Sequence, residues 1–224
     1  MQKASDVITA EQRAAVGAAV TAAESGSSCE IVPVVVSASG RYDRAEDLVG
    51  LWCAMLSAVI VFVTFPGPGD TGHWGAIPMW AQILLLMLIM AVSFVAGAVL
   101  ADRLHNVRRL FTPRRHMDEE VNLKARQLFF DRRVHHTAGA SGILIFVSLY
   151  ERMAVVLGDR SVVETLGDEF LKNLCDRLTN ALHSQDVAMA ICETIRHAAP
   201  ALESSLPRSA GDVNELSDAL VLLD

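Results

Sequence analysis

Two long uncharged stretches dominate the hydrophobic pattern, residues 48–65 (LVGLWCAMLSAVIVFVTF) and residues 78–100 (PMWAQILLLMLIMAVSFVAGAVL). The first has no charge between Asp47 and Asp70. Its roughly 18 residues reach about 27 Å as a helix, enough for a hydrocarbon core near 30 Å with slight tilt or thinning. The second is longer, with Gln82 as its strongly polar residue. Between them, Pro66-Gly67-Pro68-Gly69-Asp70-Thr71-Gly72 is built of helix breakers, so the pattern predicts an antiparallel transmembrane hairpin over residues 48–101. Trp52, Trp74 and Trp80 fall where interfacial indoles are enriched. Ser93 and Gly97 form a small-xxx-small pair that permits close helix packing, and the first span offers Gly50 and Ser57.

The basic residues orient this hairpin. Its connector has no Lys or Arg, whereas Arg41 and Arg44 precede the first span and Arg103, Arg108, Arg109, Arg114 and Arg115 follow the second. The positive-inside rule therefore predicts two spans with both termini cytoplasmic. No Asp, Glu, Lys or Arg lies inside either span, which argues against a transporter or proton relay.

Around the hairpin the pattern changes to that of a soluble α/β domain cut in two. Residues 1–47 carry the first part, residues 102–205 the second, and residues 206–224 an acidic tail. Thr9-Ala10-Glu11-Gln12 matches a capping box, so a helix should run from there to about Glu24 and stop at Ser25-Gly26. Residues 29–37 (CEIVPVVVS) read as a buried strand, with Pro33 at an edge or a bulge because it donates no ladder bond. After Pro113, a helix is predicted over residues 117–133, with Met117, Val121, Leu128 and Phe129 near one face. The runs GILIFVSL (142–149) and MAVVL (153–157), separated by Tyr150-Glu151-Arg152, predict a β-hairpin. Helices should follow over residues 162–182 and 186–202. In the tail, Leu216, Leu220 and Leu222 are placed to dock back on the domain or to bind a partner.

Composition narrows the function. A net charge of −7 argues against a general nucleic-acid binder. Cys29, Cys53, Cys175 and Cys192 are widely spaced without a CxxC pair, so neither a zinc site nor a disulfide framework is indicated. No Walker A, G-x-S-x-G, H-E-x-x-H or G-x-G-x-x-G occurs, and Ser141 and Ser148 have no base beside them in sequence. His135 and His136 are adjacent, so on an extended segment they point to opposite sides. Three carboxylates stand at predicted strand ends: Glu30, Glu151 and Asp159. Converging, they would make an oxygen site for Ca²⁺ or Mg²⁺. Apart, they are turn residues, with Asp159 suited to cap the following helix.

The order helix, strand, connector, helix, strand, strand, helices resembles the TPM domain family. The resemblance is carried by Ser28-Cys29-Glu30-Ile31-Val32, Ala125 to Phe130, Thr137, Gly142 to Ser148 and Val155-Val156-Leu157-Gly158-Asp159-Arg160, with Asn214-Glu215-Leu216-Ser217-Asp218 similar to the ending of bacterial membrane-bound members. It implies an α/β/α sandwich with a small central sheet, here interrupted by the two-helix hairpin. It also implies one of several activities: acid phosphatase, metal binder, or assembly and repair factor for membrane complexes. The chain departs from the family pattern in carrying the hairpin and in having Gly158-Asp159-Arg160-Ser161-Val162 where a G-x-G-[LI] turn often stands. Two functions follow as expectations. One is a non-enzymatic interaction module for assembly, stability or quality control of another membrane protein; the alternative is a tethered, metal-dependent phosphohydrolase using Glu30, Glu151 and Asp159.

Overall fold

The computed structural model describes residues 3–40, 43–64, 78–103, 113–137, 139–208 and 215–224. The predicted Pro/Gly connector, Trp74, Arg41, Arg108 and Arg109 lie outside these residues. The chain divides into two units, Met1–Gly40 with Arg115–Asp224, and Arg41–Arg114.

The first unit is a mixed α/β structure. Helices α1 (Ala4–Val7) and α2 (Ala10–Glu24) precede strand β1 (Glu30–Val36). The start of α2 is the predicted capping box: Thr9 accepts from the Gln12 N–H at 3.2 Å, and Gln12 Oε1 accepts from the Thr9 N–H at 2.7 Å. After the inserted second unit come α5 (Arg114–Asp131), β2 (Gly142–Ser148), β3 (Met153–Gly158), α6 (Arg160–Ser184), α7 (Val187–Ser205) and β4 (Val221–Leu223). The sheet order is β3-β2-β1-β4, with β1 parallel to both neighbours and β2 antiparallel to β3.

Alternation along the strands sends residues to two cores. Ile31 and Val35 of β1 join Ile143, Ile145 and Val147 of β2 in packing against α2, α6 and α7. Val32, Val34 and Val36 join Leu144 and Phe146 against Val121, Ala125, Leu128 and Phe129 of α5. Helices thus cover both faces, which is why β1 and β2 read as unbroken apolar runs: a strand buried on both sides has no polar face to alternate with.

Three features depart from the sequence reading or complete it. Helix α6 is longer than expected and is two segments joined at Gly167, whose φ of 80° is open to glycine at little cost. The tail supplies a fourth strand, with Leu220 fully buried. Pro33 sits at an open edge: β1 turns alternate backbone groups toward β2 and toward β4, and β4 pairs only with Val34–Val36, so the missing donor of Pro33 faces a stretch with no strand beside it.

The second unit contains α3 (Asp43–Thr64) and α4 (Met79–Arg103), both long and apolar enough to cross a membrane. Only 11% and 6% of their apolar windows are buried, unlike helices at the heart of a soluble domain. They meet at glycines: a Cβ on Gly97 would stand 2.8 Å from Cys53 Sγ and 3.1 Å from Gly50 Cα. Gly97→Val is expected to force the helices apart and cost about 1–3 kcal/mol, read as a lower melting temperature in detergent. An unchanged melting point would mean that the close approach contributes nothing.

Candidate functional site

The three predicted carboxylates do not converge. Glu30 opens β1 opposite Gly142, and Asp159 follows Gly158, which pairs with Ile143, so both stand at one end of the sheet, two strands and about 10 Å apart. Glu151 lies beyond Ser148 at the other end of β2, about 20 Å away at the rise of a strand. One ion cannot be shared by all three. Among the described residues, no group of three His, Cys, Asp or Glu side chains is arranged to hold a metal.

Each of the three has a structural partner instead. Asp159 caps α6, accepting from the Arg160 N–H at 2.7 Å. Glu151, only 1% exposed, accepts from the Ser39 N–H at 2.8 Å and from the Ser148 hydroxyl. It ties the β2–β3 turn to the chain leaving β1 for the hairpin, which is why a charged residue in a turn is buried. Glu30, 7% exposed, accepts from the backbone N–H groups of Glu215 and Leu216 at 3.1 and 3.3 Å.

Glu30 belongs to a cluster that linear reasoning misses. Glu24, Glu30 and Asp218 line one open pocket of about 190 Å³ together with Thr21, Ser27 and Arg208. Glu24 ends α2, and its Oε1 accepts from the Ile31 N–H at 2.7 Å, a donor that faces the open edge before β4 begins. Its Oε2 is buried with no donor among the described residues. Asp218 stands within hydrogen-bonding reach of the same carboxyl and also accepts from Thr21 Oγ1 at 2.5 Å. Burial and the negative charges close by both disfavour the ionised form of Glu24. Burial, with Glu30 and Asp218 nearby, accordingly pushes the Glu24 carboxyl up from 4.5 to about 8. Burial also raises Glu30, against the lowering effect of its two N–H donors.

The cluster fastens the tail. Glu30 holds Glu215 and Leu216, Asp218 joins Thr21 and Glu24, and Asp224 accepts from the Ser5 hydroxyl at 2.7 Å and the Ser37 hydroxyl at 3.1 Å. The Ser5 bonds hold the Asp224 carboxyl below its ordinary range. One signal in the sequence pointed to Glu24: an acid in the last turn of a helix meets the negative end of the dipole, an unfavourable place unless it is protonated or paired.

Burial foremost raises the thiols of Cys29, Cys175 and Cys192, keeping them protonated. His135 packs its ring edge-on to Phe130, with centroids 4.8 Å apart, and its neighbour His136 is 6.2 Å away at a tilt.

Comparison with known proteins shows the fold alone. No family model matches the chain, and no curated protein matches it. It is similar to the NMR structure of the BA42 protein from the psychrophilic bacterium Bizionia argentinensis, at a TM-score of 0.57 and 15% identity over 99% of each chain.

Proposed function

We propose that this chain is a membrane-anchored, TPM-like α/β interaction module that assists assembly, stability or quality control of another membrane protein. The observation that carries this reading is the pairing of a two-helix apolar unit, inserted in the β1–β2 crossover, with carboxylates committed to holding backbone rather than to an open catalytic centre. The helices on both sheet faces support an α/β/α sandwich of the TPM kind. The distribution of Arg residues supports an integral membrane protein of two spans with both termini cytoplasmic.

The competing reading, a tethered phosphohydrolase dependent on Ca²⁺ or Mg²⁺, has one feature in its favour, the three carboxylates of the tail pocket. A single set of measurements separates the two. Photo-crosslinkers placed on the α/β unit in native membranes are expected to capture one discrete membrane protein. The purified protein is expected to give no turnover of p-nitrophenyl phosphate, and no rise in melting temperature with Ca²⁺ or Mg²⁺. Turnover lost in Glu30→Gln while the fold survives would replace the interaction reading with the enzymatic one.

A further inference from the structure

Nearly every large exposed apolar side chain described belongs to α3 and α4; the exceptions are Leu123 at 66%, Phe130 at 60% and Met189 at 62%. Two of these three share a line on α5. Leu123 and Phe130 are seven residues, two turns, apart, and point directly away from the buried stripe of Met117, Val121, Ala125 and Leu128. Burial in the first unit therefore does not explain them.

The surroundings say what kind of surface they fit. Arg126 lies between them on the same side of the helix, and Arg132 and Arg133 follow its end; all three are exposed, and none forms an ion pair with a described residue. Glu119, one turn before Leu123 on the same side of the helix, is already engaged by Arg115 at 3.2 Å. Residues 123–136 hold Lys124, Arg126, Arg132 and Arg133 against Asp131 alone, in a chain of net charge −7. Phe130 is braced rather than loose, with the His135 ring 4.8 Å away and the Phe129 ring 6.0 Å away, both edge-on. Two projecting apolar side chains flanked by unpaired arginines suit a surface of anionic headgroups. The chain from Arg103, the end of α4, to Arg114 can extend no more than about 40 Å, so a bilayer spanned by the hairpin would stay within that tether's reach of α5.

We propose that the outward stripe of α5, Leu123, Arg126 and Phe130, with Arg132 and Arg133 just beyond its end, docks on the anionic surface of the membrane that the hairpin enters. Phe130 and Leu123 sink among the headgroups while the guanidinium groups bind lipid phosphates, each adding electrostatic attraction near the surface. The inference rests on the hairpin spanning the bilayer.

Hydroxyl-radical footprinting of the full wild-type chain in nanodiscs tests both statements at once. Phe62 and Trp80 report the spans, Phe130 and Leu123 the stripe, and Met189, on a helix packed against the opposite sheet face, is the exposed control. In discs containing phosphatidylglycerol, oxidation of Phe130 is expected to drop about fivefold relative to discs of phosphatidylcholine alone, with Met189 unchanged. The exposed triple variant Arg126→Gln, Arg132→Gln, Arg133→Gln is expected to return Phe130 to its neutral-disc level while melting like the wild type. Phe62 and Trp80 protected with Phe130 equally oxidised in both lipids would overturn the docking alone. Phe130 protected equally in detergent and in both lipids would overturn it in favour of a protein contact. Phe62 and Trp80 oxidised in discs would overturn the membrane reading with it.

Discussion

Between about pH 5 and pH 8, the melting temperature of the detergent-solubilised protein is expected to fall by about 10 °C, and Glu24→Gln is expected to remove most of that fall. The folded chain holds the Glu24 proton up to about pH 8, whereas the unfolded chain releases it near 4.5. Across that window the folded state binds more protons, so raising the pH favours unfolding, by up to roughly 5 kcal/mol once both values are passed. The stabilising form is fully present below 4.5 and is lost as pH rises through about 8. Glu30 is shifted in the same direction and adds to the slope. Asp224 is shifted downward, so its contribution disappears only in acid, below this window. The amide introduced by Glu24→Gln mimics the protonated acid: it still accepts from Ile31 and can donate toward Asp218, without a charge to repel it. A wild-type melting point indifferent to pH, or an equal slope in Glu24→Gln, would show that Glu24 is not the proton holder. Hydrogen exchange in residues 215–224 should rise together with the fall, because the same cluster holds the tail.

Glu151→Ala is expected to lower stability by about 3 kcal/mol, and Glu151→Gln by less. The alanine leaves the half-buried Ser39 N–H and the buried Ser148 hydroxyl without their acceptor. Each buried polar group stranded in this way costs about 1–3 kcal/mol. Glutamine keeps one carbonyl oxygen for one of the two donors. Urea unfolding followed by circular dichroism measures the difference, and an alanine variant as stable as the wild type would mean that water reaches both donors. Because Ser39 stands just before the inserted second unit, the same variant should loosen the exit from β1, seen as faster exchange at Ser39 and Gly40.

Local signals carried much of the fold. The Thr9–Gln12 box starts α2 because the four residues satisfy each other's unpaired groups whatever lies elsewhere. The β2–β3 hairpin was legible because two apolar runs flank a short polar turn, and Arg152, with φ of 55°, adopts the turn conformation there. The N-cap alternative for Asp159 also follows from its neighbour alone. The site was less legible. Glu24 and Asp218 meet across 194 positions of sequence, a closeness that no spacing encodes, and Glu30 was singled out without the tail amides that occupy it. Glu30 and Glu151 both stand at strand ends, which leaves convergence and separation equally open in the sequence, and antiparallel pairing of β3 with β2 puts the β2–β3 turn at the end of the sheet opposite the start of β1.

By itself, the sequence determined the properties that depend on near neighbours along the chain: two helices long and apolar enough to cross a bilayer, a capped first helix, two strands buried on both faces, and a hairpin between β2 and β3. Solvation and local hydrogen bonding are settled within a few residues, so they can be read in order. Only the tertiary structure decided that the tail becomes the fourth strand, which carboxyl groups face one another, and which apolar residues of α5 are left outside the core. Those depend on what stands across the sheet. A carboxyl such as Glu24 becomes a proton holder when folding buries it, with other carboxyls brought close adding to the effect, and an exposed phenylalanine becomes a surface only when the folded core leaves it outside.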